Sequence, residues 1–179
     1  MKKVLLIATL LISTLAASAQ KNTSESFIDK FKDDAIRIMH ETGVPASIIL
    51  GVAMHESGNG NSAIAQNLNN EFGVKGGGTS VYYKHKKKVR SSYKQYGSVM
   101  DSFEDFARIM TDRKQFSYLG DEYTHYDYIN WARGIQRSGY ASSRKWAAQV
   151  LGIIQKYNLN SFDEKPADQQ PQQLAQNSK

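Results

Sequence analysis

Residues 55–75 read HESGNGNSAIAQNLNNEFGVK, and this stretch separates a helical part of the chain from a part with strand character. Apolar residues recur at helical spacing just before it. They are Ile48, Ile49, Val52 and Ala53. Gly58 and Gly60 then interrupt the helix, and Ser62 is a favourable N-cap for a short helix that ends near Leu68. The stretch therefore predicts a helix that ends beside a loop, followed by a second, short helix.

The chain before this stretch predicts one further helix. Its apolar stripe, spaced mostly three and four residues apart, consists of Phe27, Phe31, Ala35, Ile38 and Met39. Gly43 ends this helix, because glycine readily adopts the left-handed conformation of a C-cap. Pro45 follows at a position that a first helical turn tolerates. We therefore expect two consecutive helices.

After residue 75, the helical spacing of apolar residues gives way to a pattern that favours strands. Gly76, Gly77 and Gly78 break any helix, and the β-branched and aromatic residues near them favour strands. We expect a β-hairpin that turns near Lys86-Lys87. The strand-forming residues are Val81, Tyr82, Tyr83, Val89, Tyr93 and Tyr96.

Helical spacing returns in three later segments. Ser98 caps the first, Gly139 ends the second, and the third begins near Trp146. Apolar residues of the second segment are Ile129, Ala132 and Ile135, and a loop rich in tyrosines and acids precedes it. The sum is a mostly helical α+β domain with one small β-hairpin lobe inserted between helices.

The ends of the 179-residue sequence differ in composition from its middle. Lys2 and Lys3 precede an apolar run and then small residues, a pattern typical of a signal peptide. We expect an exported monomer, periplasmic or secreted, without a membrane anchor. The predicted division is a signal peptide over 1–19, a short linker over 20–23, one domain over 24–162 and a disordered polar tail over 163–179.

The composition narrows the classes of partner and cofactor. The sequence has no cysteine, so the fold must depend on its core without disulfides. The formal charge is +6, or +4 without Lys2 and Lys3, which suggests an anionic partner: peptidoglycan, a lipid surface or extracellular nucleic acid. The four histidines form no zinc-ligand spacing, and we expect no metal and no cofactor.

Glu56 is the first candidate for chemistry. Ile49, Val52 and Glu56 are spaced three and four residues apart and therefore share one helix face. A carboxyl at the end of an apolar stripe resists ionisation, which suits a group that must protonate a leaving oxygen. The alternative is a helix-terminal glutamate that points to water.

The wider motif set resembles glycoside hydrolase family seventy-three, bacterial endo-β-N-acetylglucosaminidases that include the flagellar-type peptidoglycan hydrolase domains. Residues 56–65 match the pattern E-S-G-x-G-x-S-x-x-A, and residues 69–75 match N-N-x-F-G-[IV]-K. Later tyrosines and a G-Y-A motif at 139–141 complete the set. The resemblance covers about residues 27–162. It implies a lysozyme-like domain that hydrolyses the β-1,4 bond between N-acetylglucosamine and N-acetylmuramic acid.

The resemblance also implies roles for particular residues. Glu56 matches the catalytic acid of the family, and Tyr140 matches an aromatic residue near the reacting sugar. We expect the Tyr140 hydroxyl to donate a hydrogen bond to the 2-acetamido group of that sugar. Asn70 is expected to fix the backbone at the start of the hairpin lobe, and the Phe72 side chain is expected to pack. The candidate substrate-binding residues are Asn70, Phe72, Tyr82, Tyr93 and Tyr96.

One departure from the family pattern concerns the second carboxylate, which the family, where it has been assigned, takes from the hairpin lobe. Residues 74–100 contain no Asp or Glu. Glu71, Asp101 and Glu122 are the candidate substitutes, each expected to be a solvated surface acid. The other route is substrate assistance, in which the 2-acetamido oxygen of the sugar attacks the anomeric carbon. We favour that route.

The hairpin is basic instead, with six lysines and arginines over residues 84–94 interleaved with tyrosines. The simplest interpretation is a solvated turn whose lysines prevent edge-to-edge pairing. The functional interpretation has tyrosines stacking on sugars while the cations meet stem-peptide carboxylates. Export and the glycosidase motifs argue against single-stranded nucleic acid as the partner.

Three other functions fit parts of the sequence. A lytic transglycosylase also uses a lone glutamate, but its usual G-x-x-G-L-M-Q segment is replaced here by residues 70–75, NEFGVK. A muramidase differs only in the sugar that occupies the cleavage subsite. A non-catalytic wall-binding module is the alternative outside the enzymes.

Overall fold

The computed structural model describes residues 21–84 and 86–163. Within them, seven α-helices pack into one helical body, and a two-stranded sheet lies beside it. The predicted signal peptide and residues 164–179 of the predicted tail lie outside the described residues. No helix of the described part is long and apolar enough to cross a membrane. The elements are α1 (Ser24–Thr42), α2 (Ala46–Ser57), α3 (Ala63–Leu68), β1 (Lys75–Lys84), β2 (Lys87–Tyr93), α4 (Val99–Asp112), α5 (Tyr118–Glu122), α6 (Tyr128–Arg137), α7 (Trp146–Lys156) and a 3₁₀ helix (Leu159–Phe162).

The first helices begin and end where the sequence predicts. Thr23 and Ser26 form a reciprocal capping box at the start of α1, and Gly43 ends it with φ +76°. Pro45 precedes α2, and Gly58 ends α2 in the left-handed conformation. Ser62 caps α3 by accepting a hydrogen bond from the Ala65 backbone N–H. The mostly helical α+β class is therefore confirmed.

Helix α2 is the centre of the helical body. Ten of its twelve residues are buried, and it contacts α1, α4, α6, α7 and the 3₁₀ helix. A helix that is apolar on almost every face is stable only when other elements cover it on all sides. The remaining helices therefore form a shell around α2, and this arrangement fixes the direction in which the end of α2 points.

Gly51 lets α7 approach α2 closely. A Cβ atom at Gly51 would lie 2.9 Å from Ile154 Cγ1 and 3.4 Å from Val150 Cγ1. The two helices run antiparallel here, because Gly51 faces the later part of α7 while Glu56 faces Trp146 at its start. The absence of a side chain at Gly51 thus sets the distance between the two helices.

The β-hairpin is confirmed, and it contains a large bulge. Lys75 pairs with Tyr93 and Ser80 with Ser91, so β1 has three more residues than β2 between these two pairs. Gly76, Gly77 and Gly78 all have positive φ, which side-chain-bearing residues rarely adopt. The Ser80 hydroxyl donates to the Tyr93 carbonyl at 2.7 Å and holds the bulge to β2. Lys86, with φ +62°, lies at the predicted turn.

Three details differ from the sequence prediction. The loop expected after α4 contains the short helix α5, which forms because Leu119 is buried against Gly134 of α6. Ile129 was expected on the apolar stripe of α6 but is 37% exposed, and the neighbouring Trp131 is buried instead. Asp163, assigned to the polar tail, is buried, and its carboxylate accepts hydrogen bonds from the Ser47 backbone N–H at 2.8 Å and from the Ser47 hydroxyl at 2.5 Å.

The close contact at Gly51 predicts a large difference between two identical substitutions. Gly152 lies on α7 with no atom within 4 Å of an added Cβ. Gly152→Ala should therefore raise the free energy of unfolding by roughly 0.5–1 kcal/mol. The free energy of unfolding of Gly51→Ala should be about 1–3 kcal/mol lower than that of Gly152→Ala, which is the usual effect of overpacking. Urea unfolding of both variants measures the difference, and equal stabilisation by both would contradict the close approach of α7.

Asp163 predicts a pH dependence of stability. Burial raises the pKa of its carboxyl to about 6. The folded state then binds this proton more tightly than the unfolded state, so this group stabilises the fold at low pH and that stability is lost as the pH rises towards 6. Asp163→Asn should flatten the decrease in unfolding free energy between about pH 4 and pH 6. The exposed Asp33→Asn is the control, and the same pH profile in all three proteins would refute the assignment.

Candidate active site

A cleft of about 490 Å³ opens where the end of α2 meets the start of the hairpin. Its walls come from four segments: the end of α2, residues 72–75, residues 109–116 and the loop 139–142. The lining residues are Glu56, Phe72, Gly73, Val74, Lys75, Ile109, Arg113, Gln115, Phe116, Gly139, Tyr140, Ala141 and Ser142. Motifs that are far apart in the sequence therefore meet in one cavity.

Glu56 lies half-buried at the end of α2 and lines the cleft. The indole N–H of Trp146 donates a hydrogen bond to Glu56 Oε1 at 2.7 Å. This bond fixes the orientation of the carboxyl group, because 2.7 Å is at the short end of the range for an N–H···O hydrogen bond. The second oxygen, Oε2, lies on the side of Gly73, 3.7 Å from the position that a Cβ of that residue would occupy.

The segment opposite Glu56 is held by Asn70. Its Nδ2 donates to the carbonyls of Val74 at 2.9 Å and Lys94 at 2.7 Å, and its Oδ1 accepts from the Val74 N–H at 3.0 Å. Gly73 within this segment has φ +63°. Asn70 therefore fixes the backbone, as expected, and it does so while buried. It is not among the residues that line the cleft.

Tyr140 connects the loop 139–142 to the same segment. Its hydroxyl donates to the Phe72 carbonyl at 2.9 Å, and its ring packs on Trp146 with a centroid distance of 5.4 Å. Burial, followed by the nearby charge of Glu56, raises the pKa of Tyr140 well above its ordinary value. The phenol therefore keeps its proton, but it donates that proton to a backbone carbonyl. The structure thus does not leave the hydroxyl free for the donor role that the sequence suggested.

The remaining candidate substrate-binding residues fall into three environments. Phe72 is buried, with its ring stacked on Phe106 at 4.4 Å. Tyr93 lies beside Gly73, and the Lys75 ammonium lies 5.6 Å from the centre of its ring. Tyr82 lies farther out on the hairpin, paired with Val89, and does not line the cleft.

Tyr96 belongs to the core rather than to the cleft. It is buried, and its hydroxyl donates to Asp105 Oδ2 at 2.6 Å. Burial, followed by this hydrogen bond, raises the pKa of the phenol. Asp105 also forms ion pairs with Lys94 and Arg108. A side chain engaged in this way supports the base of the hairpin and does not face a sugar.

The candidate second acids do not reach the cleft. Asp101 caps α4, where Oδ2 accepts from the Ser98 N–H at 3.0 Å. Glu122 is exposed at the end of α5. Glu71 was expected to be a solvated acid but is only 3% exposed, and burial raises its pKa. Within the described residues, Glu56 is the one acid that lines the cleft.

Three cleft features were missed at the sequence level. Trp146 was assigned only to the apolar stripe of α7, although a buried indole N–H needs an acceptor and this requirement pointed to a polar partner. Lys75, the last residue of the 69–75 motif, and Arg113 have no predicted role in the site, yet they are the two cations of the described residues that line the cleft. The described residues contain no group of three or more His, Asp or Glu arranged to hold a metal ion.

Sequence comparison places this chain in a known family. The family model for glucosaminidase, described as mannosyl-glycoprotein endo-beta-N-acetylglucosaminidase, matches residues 32–159, which is well over half of the chain. Exo-glucosaminidase LytG of Bacillus subtilis is 30% identical over 152 residues, covering 77% of this chain and 53% of LytG. Peptidoglycan hydrolase FlgJ of Vibrio parahaemolyticus is 27% identical over 152 residues, covering 77% and 49%. The chain thus spans about half the length of these curated relatives.

Structural comparison agrees with the family assignment at the level of the fold. The glycoside hydrolase domain of FlgJ from Salmonella typhimurium superposes with a TM-score of 0.61. The match covers 78% of this chain and 91% of that domain at 24% identity. The chain belongs to the glucosaminidase family, glycoside hydrolase family seventy-three, and has its mostly helical, lysozyme-like fold with a small hairpin lobe.

Proposed function

We propose that this chain is an exported peptidoglycan hydrolase that cleaves the β-1,4 bond between N-acetylglucosamine and N-acetylmuramic acid, with Glu56 as the general acid. The observation that carries the proposal is the position of Glu56, the one acid among the described residues of the cleft, oriented by Trp146. The names of the relatives, a peptidoglycan hydrolase and an exo-glucosaminidase, support the substrate class.

The two oxygens of Glu56 have different surroundings, and this difference suits a proton donor. Oε1 accepts the hydrogen bond of Trp146. Oε2 lies beside Gly73, which has no side chain of its own, and on the side of the cleft wall formed by residues 72–75. We therefore assign the transferable proton to Oε2, from which it passes to the leaving glycosidic oxygen. The same carboxylate then accepts a proton from the water that completes hydrolysis.

The absence of a second acid from the described lining favours substrate-assisted catalysis. Two-carboxylate glycosidases place their carboxyl groups about 5–10 Å apart across the scissile bond. Asp101, Glu122 and Glu71 are each engaged or placed elsewhere, so none supports that arrangement. In the proposed mechanism the 2-acetamido oxygen of the sugar attacks the anomeric carbon as the glycosidic oxygen leaves with the Glu56 proton. Water then opens the cyclic intermediate.

Tyr140 takes a modified role in this mechanism. The Tyr140 hydroxyl donates its proton to the Phe72 carbonyl, and Tyr140 lines the cleft. A phenol oxygen can accept a hydrogen bond while its proton is donated elsewhere. We assign it to the N–H of the 2-acetamido group. Accepting that N–H orients the acetamido group and leaves the acetamido oxygen free to attack.

Glu56→Gln tests the assignment of the acid. The amide keeps the shape and can still accept from Trp146, but it cannot supply a proton to the leaving oxygen. Activity on purified sacculi should fall by about 10²–10⁴-fold while the thermal unfolding midpoint stays close to that of the wild type. Glu122→Gln is the matched control. A Glu56→Gln variant with a tenth or more of wild-type activity would remove Glu56 from this role.

The chemical identity of the products tests the reaction. Mass spectrometry of digested sacculi should find a reducing N-acetylglucosamine end. A reducing muramic end would indicate a muramidase, and an anhydro sugar would indicate a lytic transglycosylase. The transglycosylase is the second candidate, because a site with one carboxylate also suits that reaction. Binding without any cut would indicate a non-catalytic wall-binding module.

Substrate assistance predicts retention of configuration at the anomeric carbon. An NMR time course should detect the retained anomer first, and a thiazoline analogue of the cyclic intermediate should inhibit. Glu71→Gln, Asp101→Asn and Glu122→Gln should each keep at least about a third of wild-type activity, because none of these acids transfers a proton. Inversion would exclude this mechanism. Near-complete loss in one of the three variants, with the fold intact, would identify a second acid.

A further inference from the structure

Two cations of the cleft have no anionic partner among the described residues. Lys75 lies at the start of β1 and Arg113 directly follows α4, so one belongs to the hairpin and the other to the helical body. Neither forms an ion pair with a carboxylate of the described part of the chain. This includes Glu56, which lines the same cleft. The cleft is therefore positively charged.

The neighbouring cations provide a contrast. Lys94 and Arg108 both form ion pairs with the buried Asp105, which explains their presence without any ligand. The Lys75 ammonium lies over the ring of Tyr93, 5.6 Å from its centre. Arg113 lies close enough to Tyr140 for its charge to oppose the effect of burial, which raises the pKa of that phenol. Lys75 and Arg113 thus line the region where a substrate would lie.

A neutral glycan gives no reason for this charge. A chain made only of N-acetylglucosamine carries no ionised group, so two unpaired cations would not improve its binding. The muramic sugars of peptidoglycan differ, because each bears a lactyl group that ends in a carboxylate or continues into a peptide with carboxylates. A cleft lined by one sign of charge concentrates ligands of the opposite sign.

We propose that Lys75 and Arg113 bind carboxylates carried by the lactyl substituent of muramic sugars, and thereby make this cleft selective for peptidoglycan over neutral N-acetylglucosamine polymers. The inference rests on the proposed function and identifies the carboxylates as the feature of the substrate that the cleft recognises. Arginine binds carboxylates through its planar fork and lysine as a point charge. Both side chains are exposed, so each contact has the strength of a partly solvated ion pair.

The test compares Lys75→Gln and Arg113→Gln with the wild type on soluble, peptide-bearing glycan chains. The same chains are also amidated at their carboxyl groups, which removes the charge and keeps the sugars. Each variant should lose about two- to fivefold in kcat/KM on the native chains, mainly through KM, and nearly nothing on the amidated chains. Amidation should lower kcat/KM of the wild type by a similar factor.

Lys114→Gln is the matched control, because Lys114 adjoins Arg113 in sequence and does not line the cleft. It should behave as the wild type on both substrates. Lys75→Arg and Arg113→Lys keep the charge and should recover most of the activity. In peptide-bearing chains the lactyl carboxyl is an amide and the carboxylates lie on the peptide, whereas chains stripped of their peptides expose a carboxylate on the lactyl group itself. Losses that persist on stripped chains show that the cations bind a carboxylate at the lactyl position, and losses confined to peptide-bearing chains assign the peptide carboxylates.

Three results would overturn the inference. Equal relative losses on native and amidated chains would show that the cations do not bind carboxylates. A similar loss of kcat/KM in Lys114→Gln would show that the effect comes from the overall charge of the surface and not from the two cleft cations. Retention of full activity by both cleft variants would show that these cations are only solvated. Failure of the wild type to cut any of these glycans would instead refute the proposed function.

Discussion

The close approach of α7 to α2 at Gly51 is the constraint on which the site depends. Because Gly51 has no side chain, Ile154 and Val150 pack directly against the α2 backbone. The antiparallel course of the two helices then brings the start of α7 to the end of α2, where the Trp146 indole meets Glu56. The buried faces of α2 leave the helix no freedom to rotate. The orientation of the carboxyl group is thus determined by packing five residues away.

A second set of contacts joins the hairpin to the helical body. Asn70 donates to the carbonyls of Val74 and Lys94, on the two strands' sides of the hairpin entrance. Tyr140 donates to the carbonyl of Phe72, the residue before Gly73. The two contacts hold Gly73 beside Glu56. The lobe therefore contributes shape, a backbone wall and Lys75 to the cleft, while the acid comes from the helical body. This division explains how the lobe can lack an acid and still form part of the site.

The charges of the molecule divide between structure and cleft. Asp105 is buried, and although burial acts to raise its pKa, hydrogen bonds from Tyr96, Lys94 and Arg108 lower it. A buried carboxylate requires such partners, so these cations serve the fold. The cleft also has two cations and one acid among its described residues, but there the cations form no ion pair with a described carboxylate. The match of the family model over residues 32–159 places the chain in its family, and within that fold Lys75 and Arg113 give the cleft its positive charge.

The sequence by itself determined the helix ends, the hairpin and its turn, and the position of Glu56 at the end of α2, because glycines, caps and apolar spacing act over a few residues. Only the tertiary structure decided which side chains meet across the chain. The sequence suggests that Tyr96 binds substrate and that Glu71 is solvated, yet both are buried. Trp146, expected only as an apolar residue of α7, donates a hydrogen bond to the acid. The sequence does not distinguish the roles of Lys75 and Lys94, yet of the two only Lys94 forms an ion pair with a buried carboxylate of the described residues. Such partners depend on the packing of segments distant in sequence, which local pattern does not encode.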